Sequence, residues 1–284
     1  MSSRRNFLQK SVLGLAGSVV VPLLGKSSEY TDLAILAAVA QDDFPLGIAG
    51  YTFAKFDLDK SIAMMKRVGV FNLSVKEIHL PLNSSQETIN IAMAKFKEAG
   101  INVYTVGVIY MKTNEAVDQA FAYAKKVGVT MIVGVPSYDV LDYAEEKVKE
   151  YNIRLAIHNH GPKDPLYPGP KDVYDRIKNK DARMGLCVDI GHATRAGVTA
   201  DKAVKEFKDR LFDLHIKDVT MAVEAGKAVE MGRGVIDFPA FVKALRKINY
   251  KGVCSIEYEK DVFDPLPGIA ESVGFFKGVV AVKG

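Results

Sequence analysis

The sequence predicts an α/β fold, a single (β/α)8 TIM barrel, and three observations predict it. From residue 46 onward, short apolar runs alternate eight times with amphipathic stretches, the pattern of parallel strands joined by helical crossovers. Gly69, Gly100, Gly128 and Gly252 each fall between a helical pattern and the next apolar run, where a left-handed cap is wanted. No GxGxxG or phosphate-loop pattern follows the first apolar run, which argues against an open dinucleotide-binding sheet. A closed barrel typically takes about 250 residues, which the chain of 284 accommodates.

Strands are expected at 46–53, 72–80, 102–111, 131–136, 154–160, 185–189, 211–217 and 253–257. Helices are expected at 57–68, 85–99, 114–127, 141–151, 171–178, 200–208, 238–248 and 269–279. The third helix shows the reasoning: Val117, Ala120, Phe121, Ala124 and Val127 recur at three and four and form one face, while Asp118, Lys125 and Lys126 fall outside it. Ser84 and Ser85 open the second helix, with Glu87 placed as a capping-box partner.

Composition is that of a globular protein, 48% hydrophobic and 25% charged. Net charge is +4, and no basic run exceeds two residues, so the concentrated basic face of a nucleic-acid binder is missing. Cys187 and Cys254 lie inside apolar runs and read as buried free thiols. Residues 1–40 form a separate unit: Arg4 and Arg5 precede Phe7-Leu8 and a short apolar segment, and Ala38-Val39-Ala40 supplies a small-residue cleavage site. That arrangement resembles a twin-arginine export signal, too short and Gly-rich for stable membrane insertion. It implies a periplasmic or otherwise exported barrel at 41–284.

Candidate chemistry sits at the strand ends, where the catalytic groups of such barrels lie. Strand two ends in Lys76-Glu77-Ile78-His79, and alternation places Glu77 and His79 on one face. Strand five ends in His158-Asn159-His160, with the two histidines on one face. Strand six gives Asp189 and then His192, strand seven His215-Ile216-Lys217-Asp218, and strand eight Glu257-Tyr258-Glu259. All five histidines of the chain fall at or just past strand ends, and none falls on an expected helix. Strands five to eight thus offer His, Asp, His and Glu at one rim, a mixed imidazole–carboxylate set suited to one divalent ion: Mn²⁺, Zn²⁺, Co²⁺ or Fe²⁺.

The spacing Asp189-x-x-His192, then His215 with Lys217-Asp218, then Glu257, resembles the xylose-isomerase-like barrel superfamily over residues 46–282. That group includes sugar-phosphate isomerases and epimerases, ketose 3-epimerases, inosose dehydratase and endonuclease IV. The resemblance implies Asp189, His215 and Glu257 as metal ligands, with His158 where the family usually has a glutamate. His192 matches a substrate-binding histidine, and Arg233, within Gly232–Asp237, matches a loop that shapes the substrate pocket. Lys76, His79 and Glu259 complete the expected substrate-binding set.

The missing strand-five glutamate matters, because ketose epimerases use a glutamate on each of strands five and eight to move the proton. Here His158 binds metal and His160 is the base, or the roles are exchanged, since a metal-bound imidazole is a poor base. Catalytic residues are then His160, Glu257 and Lys217, with Glu259 as a second acid or base. Lys217 and Lys76 either stabilise an oxyanion or pair with Asp218 and Glu77. The expected reaction is metal-dependent isomerisation or epimerisation of a carbohydrate through an enediolate. Lyase or hydrolase chemistry on 3-keto glycosides or inosose-like keto sugars, and a non-catalytic periplasmic sugar-binding protein, are the alternatives. The implied partners are a small-molecule carbohydrate and further copies of the chain, since relatives are often dimers or tetramers; no nucleic acid is expected.

Overall fold

Eight parallel strands close on themselves in a computed structural model that describes residues 44–282. The barrel strands are β1 (Leu46–Ala49), β2 (Asn72–Val75), β3 (Asn102–Met111), β4 (Met131–Pro136), β5 (Arg154–His158), β6 (Met184–Asp189) and β7 (Leu211–Ile216). A two-stranded antiparallel ribbon, β8 (Asp218–Val219) with β9 (Ala228–Val229), comes before the last barrel strand, β10 (Cys254–Ile256). Neighbours in the barrel follow chain order, and β10 closes onto β1 through Leu46↔Cys254. The expected export segment at 1–40 lies outside the described residues.

Nine α-helices are present among the described residues: α1 (Leu58–Val68), α2 (Gln86–Glu98), α3 (Asn114–Val127), α4 (Leu141–Tyr151), α5 (Pro170–Ile177), α6 (Ile190–Arg195), α7 (Ala200–Glu206), α8 (Phe238–Lys247) and α9 (Leu266–Ala281). The expected face of α3 is buried throughout, and Lys125 and Lys126 are exposed. None of these helices is long and apolar enough to cross a membrane.

Several expectations are corrected. Strand two stops at Val75, because His79 N and Leu80 N both return to the Lys76 carbonyl and turn the chain. The alternation assigned to Glu77 and His79 therefore does not exist. The first strand likewise ends at Ala49 and passes into a 3-10 turn, Gly50–Phe53. Strand five ends at His158, leaving His160 on the following loop with its N–H on the Tyr167 carbonyl. His192 lies on a helix after all, the short α6.

Capping also departs in detail. Ser85 caps α2 by accepting from Thr88 N at 3.1 Å, and its hydroxyl pairs with Thr88 rather than with Glu87. Gly69, Gly100 and Gly128 take positive φ as expected, but after α8 it is Asn249, at φ 54°, that does so. Gly252 is required for packing instead: a Cβ there would lie 2.3 Å from the Tyr250 hydroxyl.

Candidate metal and substrate site

Register assembles the site. In β6 and β7, Asp189 pairs directly with His215, while His158 of β5 pairs with Cys187, two residues before Asp189, and His215 pairs with Ser255, two residues before Glu257, so the four positions step along neighbouring strands. Alternation then turns His158, Asp189, His215 and Glu257 into the barrel mouth. Ligand atoms of all four lie within 4.8 Å of one another, and all four residues are buried. His158 Nε2 is 3.6 Å from Asp189 Oδ2, and His215 Nδ1 is 3.4 Å from Glu257 Oε1.

Both ring nitrogens of His158 and both of His215 are buried without a hydrogen-bond partner. An orphaned buried polar atom costs about 1–3 kcal/mol, and one nitrogen on each ring is free to meet a ligand. The donor set, two imidazoles and two carboxylates, fits a divalent transition-metal ion. Charge agrees: Lys217 Nζ alone faces Asp189 Oδ2 at 3.0 Å, Glu257 Oε2 at 2.6 Å and Glu259 Oε2 at 3.1 Å. Three acidic groups meet at one ammonium, a surrounding that would also accept a further cation.

Burial and neighbours tune these groups in opposite senses. Burial pushes His158 down to about 4 and His192 down to about 3, so both rings are neutral at pH 7 and can offer lone pairs. Burial alone would lower His215 too, but the Glu257 carboxylate reverses this and raises it. Burial opposes ionisation of Glu257, and Lys217 and His215 outweigh it and hold the carboxyl well below its usual range. Burial wins at Glu259, whose carboxyl is raised in spite of Lys217.

Local structure holds the candidate ligands in place. The Asn159 side chain accepts from Asp189 N at 3.0 Å and donates to Asp189 O at 3.2 Å, extending the β5–β6 ladder past the end of β5. Asp189 Oδ1 accepts from His192 N at 2.7 Å, so one ligand also caps α6. Asp218 does not pair with Lys217. Its carboxylate instead accepts the N–H groups of Val219, Gly232, Gly234 and Ile236 and shapes the loop after β9.

The structure brings His160, Lys217, His192 and Glu259 to this cluster. The His160 ring lies 4.8 Å from that of His158 and 5.8 Å from that of His192. Lys76, just past the end of β2, donates to Glu77 and to the Val108 carbonyl on β3. His79 and Arg233 are not brought in: His79 Nε2 meets the Phe53 carbonyl and Ser61, and the exposed Arg233 is taken by Glu271 on α9.

Other residues escaped the reading of the sequence. Tyr110 Oη lies 3.0 Å from His160 Nε2, and Asp164 Oδ2 lies 3.4 Å from Nδ1 of the same ring. Beneath the ligands, Tyr104 donates to the Asp213 carboxylate and meets Ser255 at 2.6 Å, while burial raises Asp213 to about 7. Cys187, Asp213 and Ser255 each precede a ligand by two residues, so strand parity carried their signal. Tyr110 gave none, being fifty positions from His160. Cys187 and Cys254 are free, buried thiols.

Residues 109–279 match the sequence family described as xylose isomerase-like TIM barrel. The chain belongs to that family. A solved structure of an uncharacterised protein from Parabacteroides distasonis is 28% identical, with TM-score 0.64 over 82% of this chain and 98% of that one. An L-ribulose 3-epimerase shares the fold at TM-score 0.67 and 14% identity, over 83% of this chain and 94% of its own. A 3-keto-D-glucoside 4-epimerase from E. coli does so at 0.65 and 17%, over 83% and 99%. Rhizopine catabolism protein MocC of Rhizobium meliloti is 26% identical over 131 residues, 41% of this chain. An uncharacterised protein of Methanocaldococcus jannaschii is 26% identical over 132 residues, 43% of this chain. The chain spans 42% and 40% of the length of these two curated relatives, the archaeal protein and MocC respectively.

Proposed function

We propose that this barrel is a divalent-metal-dependent carbohydrate isomerase or epimerase that removes a proton from the carbon next to a carbonyl. The observation that carries the reading is the convergence of His158, Asp189, His215 and Glu257, with both nitrogens of each of the two histidines unpartnered. A bound divalent ion supplies Lewis-acid polarisation of a sugar carbonyl or hydroxyl oxygen. The fold neighbours named as an L-ribulose 3-epimerase and a 3-keto-D-glucoside 4-epimerase support the substrate class.

The chain's own groups do the rest. Burial lowers His160, which favours the neutral ring, and Tyr110 Oη at Nε2 with Asp164 Oδ2 beside Nδ1 steady the imidazole when it takes a proton. Lys217 stays protonated, because Asp189, Glu257 and Glu259 outweigh its burial, and it offers charge to an oxygen that becomes negative. Glu259, raised by burial, is placed to return a proton. The Tyr110 phenol against His160 favours a second reading, elimination from a 3-keto glycoside or inosose-like keto sugar, since a departing oxygen needs a proton donor there. The expected exported location accords with free sugars or glycosides as substrates.

Incubation of the metal-loaded chain with ketoses and 3-keto glycosides in D₂O, followed by NMR, tests the proposal. Deuterium is expected at the carbon next to the carbonyl, with retention of all substituents for the isomerase and loss of one for elimination. No exchange with any substrate, together with no uptake of Mn²⁺, Co²⁺ or Zn²⁺, would leave a sugar-binding protein instead.

A further inference from the structure

We infer that Arg195 is a positioning residue that locks His192 in the Nε2–H tautomer, so that His192 meets the carbohydrate as a hydrogen-bond donor and stays outside the metal's ligand set. Both residues lie on α6, three apart and therefore on one face. One terminal nitrogen of the Arg195 guanidinium sits against His192 Nδ1, and the other donates to the Gly226 carbonyl at 3.4 Å. Gly161, just past His160, leaves the room: a Cβ there would lie 2.7 Å from the guanidinium.

A guanidinium has five donors, no acceptor, and does not deprotonate in proteins. Nδ1 must therefore present its lone pair, because an N–H there would face another N–H. A neutral imidazole with a free Nδ1 carries its one proton on Nε2. That atom points toward the ligand cluster, 3.9 Å from Asp189 Oδ2 and within reach of Glu257 and Glu259. A protonated Nε2 has no lone pair for a cation, so His192 is excluded as a ligand although its distance alone would admit it. His158 and His215 differ in keeping both nitrogens free of partners. The His192 ring lies 5.8 Å from that of His160, and a hydroxyl or carbonyl oxygen of the sugar bound beside them would accept from Nε2–H.

The ligand count rests on the metal reading above, whereas the tautomer stands or falls by itself. The test is long-range proton–nitrogen NMR on the full chain labelled with ¹⁵N-histidine, recorded with Zn²⁺ and after EDTA. The expected result is a His192 ring with a bare Nδ1 and a protonated Nε2 in both states, while His158 and His215 change on adding zinc. Arg195→Lys, which still only donates, should preserve the tautomer. Arg195→Ala should let Nδ1–H appear and raise KM for the carbohydrate about tenfold, the worth of one hydrogen bond, with kcat changed much less and metal content unchanged. A protonated Nδ1 in the unaltered chain, a zinc-dependent shift at His192 Nε2, or metal loss in Arg195→Ala would overturn the inference. If Arg195→Ala fails to fold, the spectra of the unaltered chain and of Arg195→Lys still decide. Absence of turnover with every sugar, beside the expected tautomer, would overturn the proposed function alone.

Discussion

His158 and His160 leave strand β5 two residues apart, and their surroundings divide their chemistry. His158 is fully enclosed with both nitrogens unpartnered, whereas His160 has Tyr110 at one nitrogen and Asp164 near the other. The first arrangement suits a ligand and the second a proton carrier. Asp189→Asn and Glu257→Gln are expected to lose metal and activity together, read by metal analysis and initial rates. His160→Ala is expected to keep its metal while activity falls by about 10²–10⁴, the usual worth of a general base. Metal loss in His160→Ala but not in His158→Ala would exchange the two roles.

At the scale of elements, the site depends on how β5, β6 and α6 are tied together. Asn159 does this with two buried hydrogen bonds to the Asp189 backbone, substituting for a strand residue. Asn159→Ala leaves the buried Asp189 N–H unsatisfied, while the Asp189 carbonyl keeps its place as the first acceptor of α6, so a loss of about 1–3 kcal/mol is expected in urea unfolding. Weaker metal binding in titration calorimetry should accompany it, because both His158 and Asp189 lose their mutual register. This coupling was only half legible in the sequence. The apolar runs and their polar ends located β5 and β6, but nothing local marked Ile190–Arg195 as a helix. Its cap is Asp189 itself, a residue that reads equally as a strand-end ligand.

For the whole molecule, the charge imbalance around Lys217 sets the conditional stability. Without a metal, three acidic groups face the Lys217 ammonium inside the barrel, and on the proposed function a divalent ion would offset them. EDTA is therefore expected to lower Tm, and metal at a hundred times its Kd to restore about 2.7 kcal/mol by mass action, read by calorimetry. Acid acts at a second place. Lys260 and the Tyr258 hydroxyl hold the buried Glu230 carboxylate down to about 2, against an ordinary 4.5. A depressed carboxyl stabilises the fold fully above the unfolded value and loses that contribution as pH falls toward the folded one. Tm should decline from about pH 4.5 to about 2, and Glu230→Gln should flatten part of that decline while lowering Tm at pH 7.

The barrel, and the strands whose ends carry the candidate ligands, were determined by the sequence alone. Apolar runs of period two, helical faces such as that of α3 and polar residues at run ends are local patterns, and parity placed Asp189, His215 and Glu257 on inward faces. Tertiary structure decided what those patterns do not encode. It turned the chain at Lys76 and sent His79 away, tied Asp218 to four backbone amides instead of Lys217, and brought Tyr110 and Asp164 to His160. Each of these follows from hydrogen bonds between segments far apart in the chain or from a turn that competes with strand pairing. Strand periodicity tells which way a residue points, but it does not tell which distant donor will be waiting there.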